Sequence, residues 1–168
     1  MNKVYITSFN SKIGTIYIAS TDIGVCKISI PGQTRKEFNA WLQKKFKKAE
    51  FVESTAKNKQ IIDELTRYFD RRLVKFKTKI DLKGTEFQRK VWLELKKVRY
   101  GKTITYKQLA KRLGVKSYQA VGKANSMNPL PIIIPCHRVV GSNSKLVGYS
   151  AGLKTKEFLL RLEGAMPA

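Results

Sequence analysis

Acidic residues are scarce in this chain of 168 residues: 12 Asp and Glu stand against 34 Lys and Arg, giving a formal charge of +22. It has one histidine, His137, and two cysteines, Cys26 and Cys136. No apolar run approaches the roughly 18 residues of a membrane span. Each shortage excludes something. Two cysteines and one histidine cannot close a four-ligand zinc site, so no metal is expected. Far apart in a chain without secretory features, the cysteines make no disulfide framework. The opening MNKVYITSFN lacks both the apolar stretch and the small-residue cleavage site of a signal peptide. A cytoplasmic protein is therefore expected.

The excess of positive charge needs a partner or another explanation. Self-repulsion of this size opposes folding, and a polyanion such as nucleic acid would relieve it. The alternative is a generally lysine-rich composition. The basic residues run through both halves of the chain, which favours that alternative somewhat.

Periodicity divides the chain in two. KVYITSF, GTIYIAS and VCKISI read as an antiparallel β-meander that ends at Pro31-Gly32. Helical spacing follows, with Phe38, Trp41, Leu42 and Phe46 on one face, and again with Ile61, Ile62, Leu65 and Phe69. VKFKTKIDL then looks strand-like, and a boundary is placed near Gly84. Beyond it the pattern is almost wholly helical. Thr85 is a plausible N-cap for a helix carrying Phe87, Val91, Trp92 and Leu95. Leu109, Ala110 and Leu113 form a short stripe, Gly114 breaks it, and Ser117 can cap a second helix. That outline is a helix-turn-helix. The class expected is α+β: a small N-terminal α/β domain over 1–80 with an antiparallel sheet, and a mostly helical, winged-helix-like C-terminal domain over 85–168.

The second of those short helices is built from Ala120, Val121, Gly122 and Ala124. Gly122 costs about 1 kcal/mol of helix stability relative to Ala, so some neighbour must come close. That neighbour is either another helix or a nucleic-acid groove, and local sequence does not choose between them.

IIIPCHRVVG raises the sharper question. A hydrophobic run meets Pro135 and then sets Cys136 beside His137 and Arg138. The bland reading is a core cysteine at the end of a buried strand. The reactive reading is an activated thiol, because imidazole and cationic neighbours depress a thiol pKa of about 8.5. A histidine base needs a partner for its other nitrogen, and the last part of the chain offers only Glu157 and Glu163. Cys26, in the apolar VCKISI, reads as a small core residue.

PIIIPCHRVVG, preceded by NP and followed by VGYSAGLKTKEFLLRLEG, resembles the active-site region of the O6-alkylguanine-DNA alkyltransferases, also called methylated-DNA–protein-cysteine methyltransferases. The match runs in register from about Thr85 to Gly164, whereas the N-terminal half resembles the family only in its arrangement of elements. The resemblance implies a suicide S-methyltransferase that repairs DNA, moving an alkyl group from guanine O6 to its own cysteine once, without a cofactor. Its partner would be double-stranded DNA containing O6-alkylguanine, entered from the minor groove with the damaged base flipped out. A monomer with no membrane role is implied.

The resemblance also assigns roles. Cys136 would accept the alkyl group, His137 would take the thiol proton through water, and Glu163 would orient His137. Tyr106 would help rotate the nucleotide and donate toward guanine N3, and Asn128 would brace the turn before the active site. Pro131 and Tyr149 would flank the alkyl group, the carbonyls of Cys136 and Val139 would read the exocyclic amine, and Ser150 would contact the O6 region. Tyr106, Gln119, Ala120, Gly122, Lys123 and Arg138 would face DNA. Gln119 departs from the pattern, standing where the family typically has an arginine that fills the vacated stack. Two rival readings remain. One is a sensor of alkylated bases without chemistry, against which Cys136 argues. The other is a Cys-His hydrolase, for which Cys136 lacks an accompanying oxyanion-hole signature.

Overall fold

The first three strands follow the alternation of the sequence. β1 (Lys3–Ser11), β2 (Gly14–Ser20) and β3 (Val25–Ser29) form an antiparallel meander in the computed structural model, which describes residues 2–166. A fourth strand, β4 (Glu50–Glu53), joins β1 in parallel and completes the order β3-β2-β1-β4. β4 was invisible to pattern reading because EFVE has no buried residue. The expected strand at VKFKTKIDL is extended chain that touches the sheet through one bridge, Val25 to Ile80. Buried Glu64 explains part of this: its carboxylate accepts the backbone N–H groups of Lys77 at 2.8 Å and Thr78 at 3.0 Å, donors a ladder would otherwise use.

Helix α1 (Arg35–Lys45) starts at a capping box, Thr34 with Glu37. It lays Phe38 and Leu42 against Val4, Ala19 and Cys26. α2 (Lys59–Phe69) buries Ile61, Leu65, Tyr68 and Phe69. These elements belong to the first of two compact units, Met1–Lys83 and Gly84–Ala168.

The second unit holds α3 (Glu86–Leu95), α4 (Tyr106–Leu113), α5 (Tyr118–Ser126) and α6 (Leu153–Leu162). Capping boxes at Thr85 and Thr105 begin α3 and α4, each with a glutamine at the third helical position. Gly114 ends α4 with a left-handed φ of 68°, a conformation glycine adopts without a Cβ penalty, and Ser117 caps α5. The α4–α5 pair is the helix-turn-helix outline. The Trp92 indole on α3 donates to the Ala124 carbonyl of α5 at 2.8 Å, locking α3 to the second helix of that pair.

A two-stranded parallel sheet accompanies the helices of this mostly helical unit. β5 (Ile104–Thr105) pairs with β6 (Val139–Val140), Ile104 opposite Val139 and Thr105 opposite Val140. Each strand has two residues, too few to show a period. The consequence is large, because β5 leads directly into Tyr106 and β6 follows directly on Cys136, His137 and Arg138. No helix among the described residues is long and apolar enough to cross a membrane.

Candidate active site

Cys136, His137 and Arg138 form one tight helical turn, all three side chains buried. The segment before them is strained and braced. Ile132 sits at φ 76°, a genuine outlier for a β-branched residue, at a cost of about 1–3 kcal/mol. Asn128 supports the turn from both ends: its amide donates to the Ile134 carbonyl at 2.8 Å, and its Oδ1 accepts the Leu130 N–H at 2.9 Å. Pro131 pairs with Ile134 across the same turn. The Cys136 N–H then bonds the Ile134 carbonyl at 2.8 Å, so the thiol is presented by a fixed backbone.

Glu163, the C-cap of α6, lies at the centre of the buried charges. His137 Nε2 stands 2.7 Å from Oε1. Arg138 grips both oxygens, Nε to Oε2 and Nη2 to Oε1, each at 2.8 Å, and its Nη1 donates to the Val98 carbonyl at 2.6 Å. Burial works against ionisation of Glu163, but the hydrogen bonds and charges of His137 and Arg138 together outweigh it and hold the carboxyl down at about 2. An ionised carboxylate only accepts, so His137 must carry its proton on Nε2. Burial pushes the imidazole pKa down despite Glu163, which favours the neutral ring. Among the described residues nothing hydrogen-bonds its buried Nδ1. A neutral imidazole with a free Nδ1 lone pair is a base waiting for a proton.

The thiol's surroundings differ from the expectation that His137 and Arg138 would depress it. Burial raises the Cys136 pKa, opposed by hydrogen bonds to Asn128 and Tyr149 and by the charge of Lys156. The Tyr149 hydroxyl is 3.9 Å from Sγ. Lys156 is the functional residue that sequence reading missed. It is fully buried, and its ammonium donates to the carbonyls of Val139 (2.5 Å), Val147 (3.0 Å) and Gly148 (3.3 Å). Burial lowers its pKa to about 8, while the nearby thiol favours the charged form. A signal did exist in the sequence, since Lys156 falls on the same helical face as Leu159, Leu160 and Glu163.

Arg138 also needs correction. Expected to face DNA, it is buried, and three of its five N–H donors are turned inward to Glu163 and the Val98 carbonyl, which leaves it little surface to offer a phosphate. The other expected contacts divide. Tyr106, the first residue of α4, is half-buried. Burial raises its phenol, a hydrogen bond with Asn125 opposes this, and the Cys136 charge adds to the rise. Gly122 faces Tyr106: a Cβ there would lie 3.6 Å and 3.8 Å from the ring, ordinary contact. Within the free protein, then, the close neighbour of Gly122 is an aromatic side chain. Gln119 and Lys123 are exposed on α5, with Ala120 half-buried between them. Ser150 is exposed beside half-buried Tyr149, and the Val139 carbonyl already accepts from Lys156.

Cys26, the other thiol, is buried in the first unit and pushed up to about 12 by burial, which makes it a poor nucleophile. Among the described residues no three His, Cys, Asp or Glu side chains are grouped to hold a metal ion.

Comparison with known proteins finds matches over both units. The model of the 6-O-methylguanine DNA methyltransferase DNA-binding domain matches residues 86–165, and that of the same proteins' ribonuclease-like domain matches residues 4–82. The chain is 41% identical over 167 residues to a methylated-DNA–protein-cysteine methyltransferase of Methanosarcina acetivorans, covering 96% of this chain and 99% of the relative. Another, from Methanosarcina barkeri, is 41% identical over 163 residues, covering 95% and 97%. Among solved structures, OGT of Mycobacterium tuberculosis in complex with DNA superposes with a TM-score of 0.83 at 32% identity, over 97% of this chain and 93% of that one.

Proposed function

Because the chain belongs to the 6-O-methylguanine DNA methyltransferase family, we propose that it repairs O6-alkylguanine in duplex DNA by moving the alkyl group irreversibly to Cys136. One observation carries the assignment of the acceptor: Cys136 shares a buried turn with His137, whose Nε2 is held 2.7 Å from a Glu163 oxygen, so that Nδ1 is the nitrogen left to take a proton.

In this reading Nδ1 of His137 takes the thiol proton through a bridging water. The transfer separates charge without changing the total: the imidazolium is paired with Glu163, and the positive charge of Lys156 favours the thiolate. Sγ then attacks the alkyl carbon, a C–S bond forms, and the C–O6 bond breaks with its electron pair going to guanine. The leaving purine anion accepts a proton or hydrogen bond, from the Tyr106 hydroxyl or from the charge relay, and is stabilised as it departs. The O6 carbon is inaccessible within the base stack, so the nucleotide must be extruded into the pocket. The product is a thioether with no leaving group, and the protein acts once. A hydrolase would instead form a thioester that water cleaves.

The decisive experiment is intact mass after incubation with a duplex carrying O6-methylguanine. A gain of one methyl in place of a hydrogen, mapped by peptide fragmentation to Cys136, is expected. An unchanged mass, or a methyl on another residue, overturns the assignment.

The DNA reading has its own check. Binding to undamaged duplex should weaken steeply with salt, because each neutralised phosphate contributes about −0.9 to the log–log slope. Titrations from roughly 50 to 200 mM salt measure it. A flat response would separate the +22 charge from any phosphate contact.

A further inference from the structure

The approach to the thiol is bordered by α5. Tyr106 lies close enough to Cys136 to feel its charge, and its ring packs on Gly122. One turn earlier on that face, four residues before Gly122, stands Tyr118, the first residue of α5. The next residues on that face, Gly122 and Ser126, are small, with the longer Gln119 and Lys123 beside them. Tyr118 is the conspicuous exception: a full aromatic ring, 49% exposed, at the end of a helix otherwise stripped of bulk. Among the described residues nothing hydrogen-bonds to it or stacks on it. The ring contributes little packing to the free protein, although burying such a ring is one of the larger gains a contact can make.

Extruding a base leaves a gap, and whatever fills it recovers part of the lost stacking. The neighbour of Tyr118, Gln119, can fill volume and offer amide hydrogen bonds, but it has neither the charge nor the planar face of a guanidinium. A phenol ring supplies a planar face of its own and stacks on any base regardless of sequence. Apolar and aromatic wedges at base steps are an established way to hold a duplex open from the minor groove.

We propose that Tyr118 is the stacking element of this site, a positioning residue whose ring lies against the base pair flanking the extruded guanine while the Gln119 amide meets the orphaned partner base. The inference rests on the reading of alkylguanine repair given above. It is specific to the duplex, because a free base needs no extrusion and no wedge.

The test is single-turnover methyl transfer, measured on duplex O6-methylguanine and on the free O6-methylguanine base. Tyr118→Ala is expected to slow the duplex reaction about tenfold, equivalent to about 1.4 kcal/mol, and to leave the free-base rate unchanged. Tyr118→Phe keeps the ring and should retain the wild-type duplex rate. Tyr118→Lys adds a phosphate-seeking charge without a ring and should be as slow as the alanine variant. The Ser117 cap to the Ala120 N–H is untouched by all three, and their thermal unfolding should match wild type. A wild-type duplex rate in Tyr118→Ala, or in Tyr118→Lys, overturns the stacking role, and so does an equal loss on both substrates. If the wild-type protein gains no methyl from either substrate, the repair reading itself fails, and that result is distinct from the others.

Discussion

Replacing Cys136 with serine is expected to abolish methyl transfer while leaving DNA binding as it was. The two outcomes separate because they rest on different parts of the molecule. Transfer needs one polarisable anion at one point. Cys136 is only 4% exposed and presented by a braced turn, where Asn128, Tyr149 and Lys156 oppose the rise that burial imposes on the thiol. A serine hydroxyl has a far higher pKa, and a single buried lysine cannot bring it into a useful range; its oxygen is also a weaker nucleophile toward saturated carbon. DNA affinity is expected to rest on the chain's excess of 22 positive charges, which the substitution leaves unchanged. Mass spectrometry after exposure to O6-methylguanine duplex should show no methylated Cys136→Ser protein, and its salt-dependent binding curve should overlay that of wild type. Stoichiometric methylation of the serine variant would falsify the assignment. Lost binding would show that the thiol serves recognition.

The expectations that held came from residues whose chemistry is local. The capped helix at Thr85, the αL stop at Gly114 and the Ser117 cap each follow from a side chain or backbone feature acting within a few positions. Glu163 was findable because carboxylates are so few near the end of the chain. What escaped was set by distant partners. Pairing β5 with β6 brings Tyr106 to the turn that carries Cys136, yet two residues per strand carry no periodic signal. Arg138 was expected to face DNA from the family resemblance, and only the folded structure shows two of its donors on Glu163 and a third on the Val98 carbonyl. Lys156 lies on the apolar side of α6, where a lysine reads as a lapse in the pattern until three carbonyls are seen to meet it. The burial of the thiol likewise reverses the simple reading of its neighbours. Sequence adjacency put His137 and Arg138 beside Cys136, but the cation that favours the thiolate comes from twenty residues downstream.

Glu163→Gln is expected to cost several kcal/mol at neutral pH, and the cost should shrink in acid. Arg138 is the reason for the first part. Its guanidinium is buried and bound at both carboxylate oxygens, and breaking such a pair from one side leaves an uncompensated charge worth about 3–5 kcal/mol. The acid dependence follows from the carboxyl itself. Its folded value is about 2 against an ordinary 4.5, so its contribution to stability is fully present above pH 4.5 and is lost as pH falls toward 2. A shift of that size corresponds to about 3 kcal/mol, at about 1.4 kcal/mol per unit. Glutamine has no carboxyl to protonate and lacks this component at every pH. Chemical denaturation followed by circular dichroism should therefore show a wide gap between wild type and Glu163→Gln at pH 7, narrowing below pH 4.5. A gap that stays constant would mean that Glu163 is not the ionised centre of this cluster. The same variant should slow methyl transfer without eliminating it. Its amide oxygen can still accept the Nε2 proton of His137 and keep Nδ1 free, but it cannot neutralise the imidazolium that forms when the thiol gives up its proton. Loss of rate should then exceed what the imidazole's orientation alone would explain, because the carboxylate supplies charge as well as geometry.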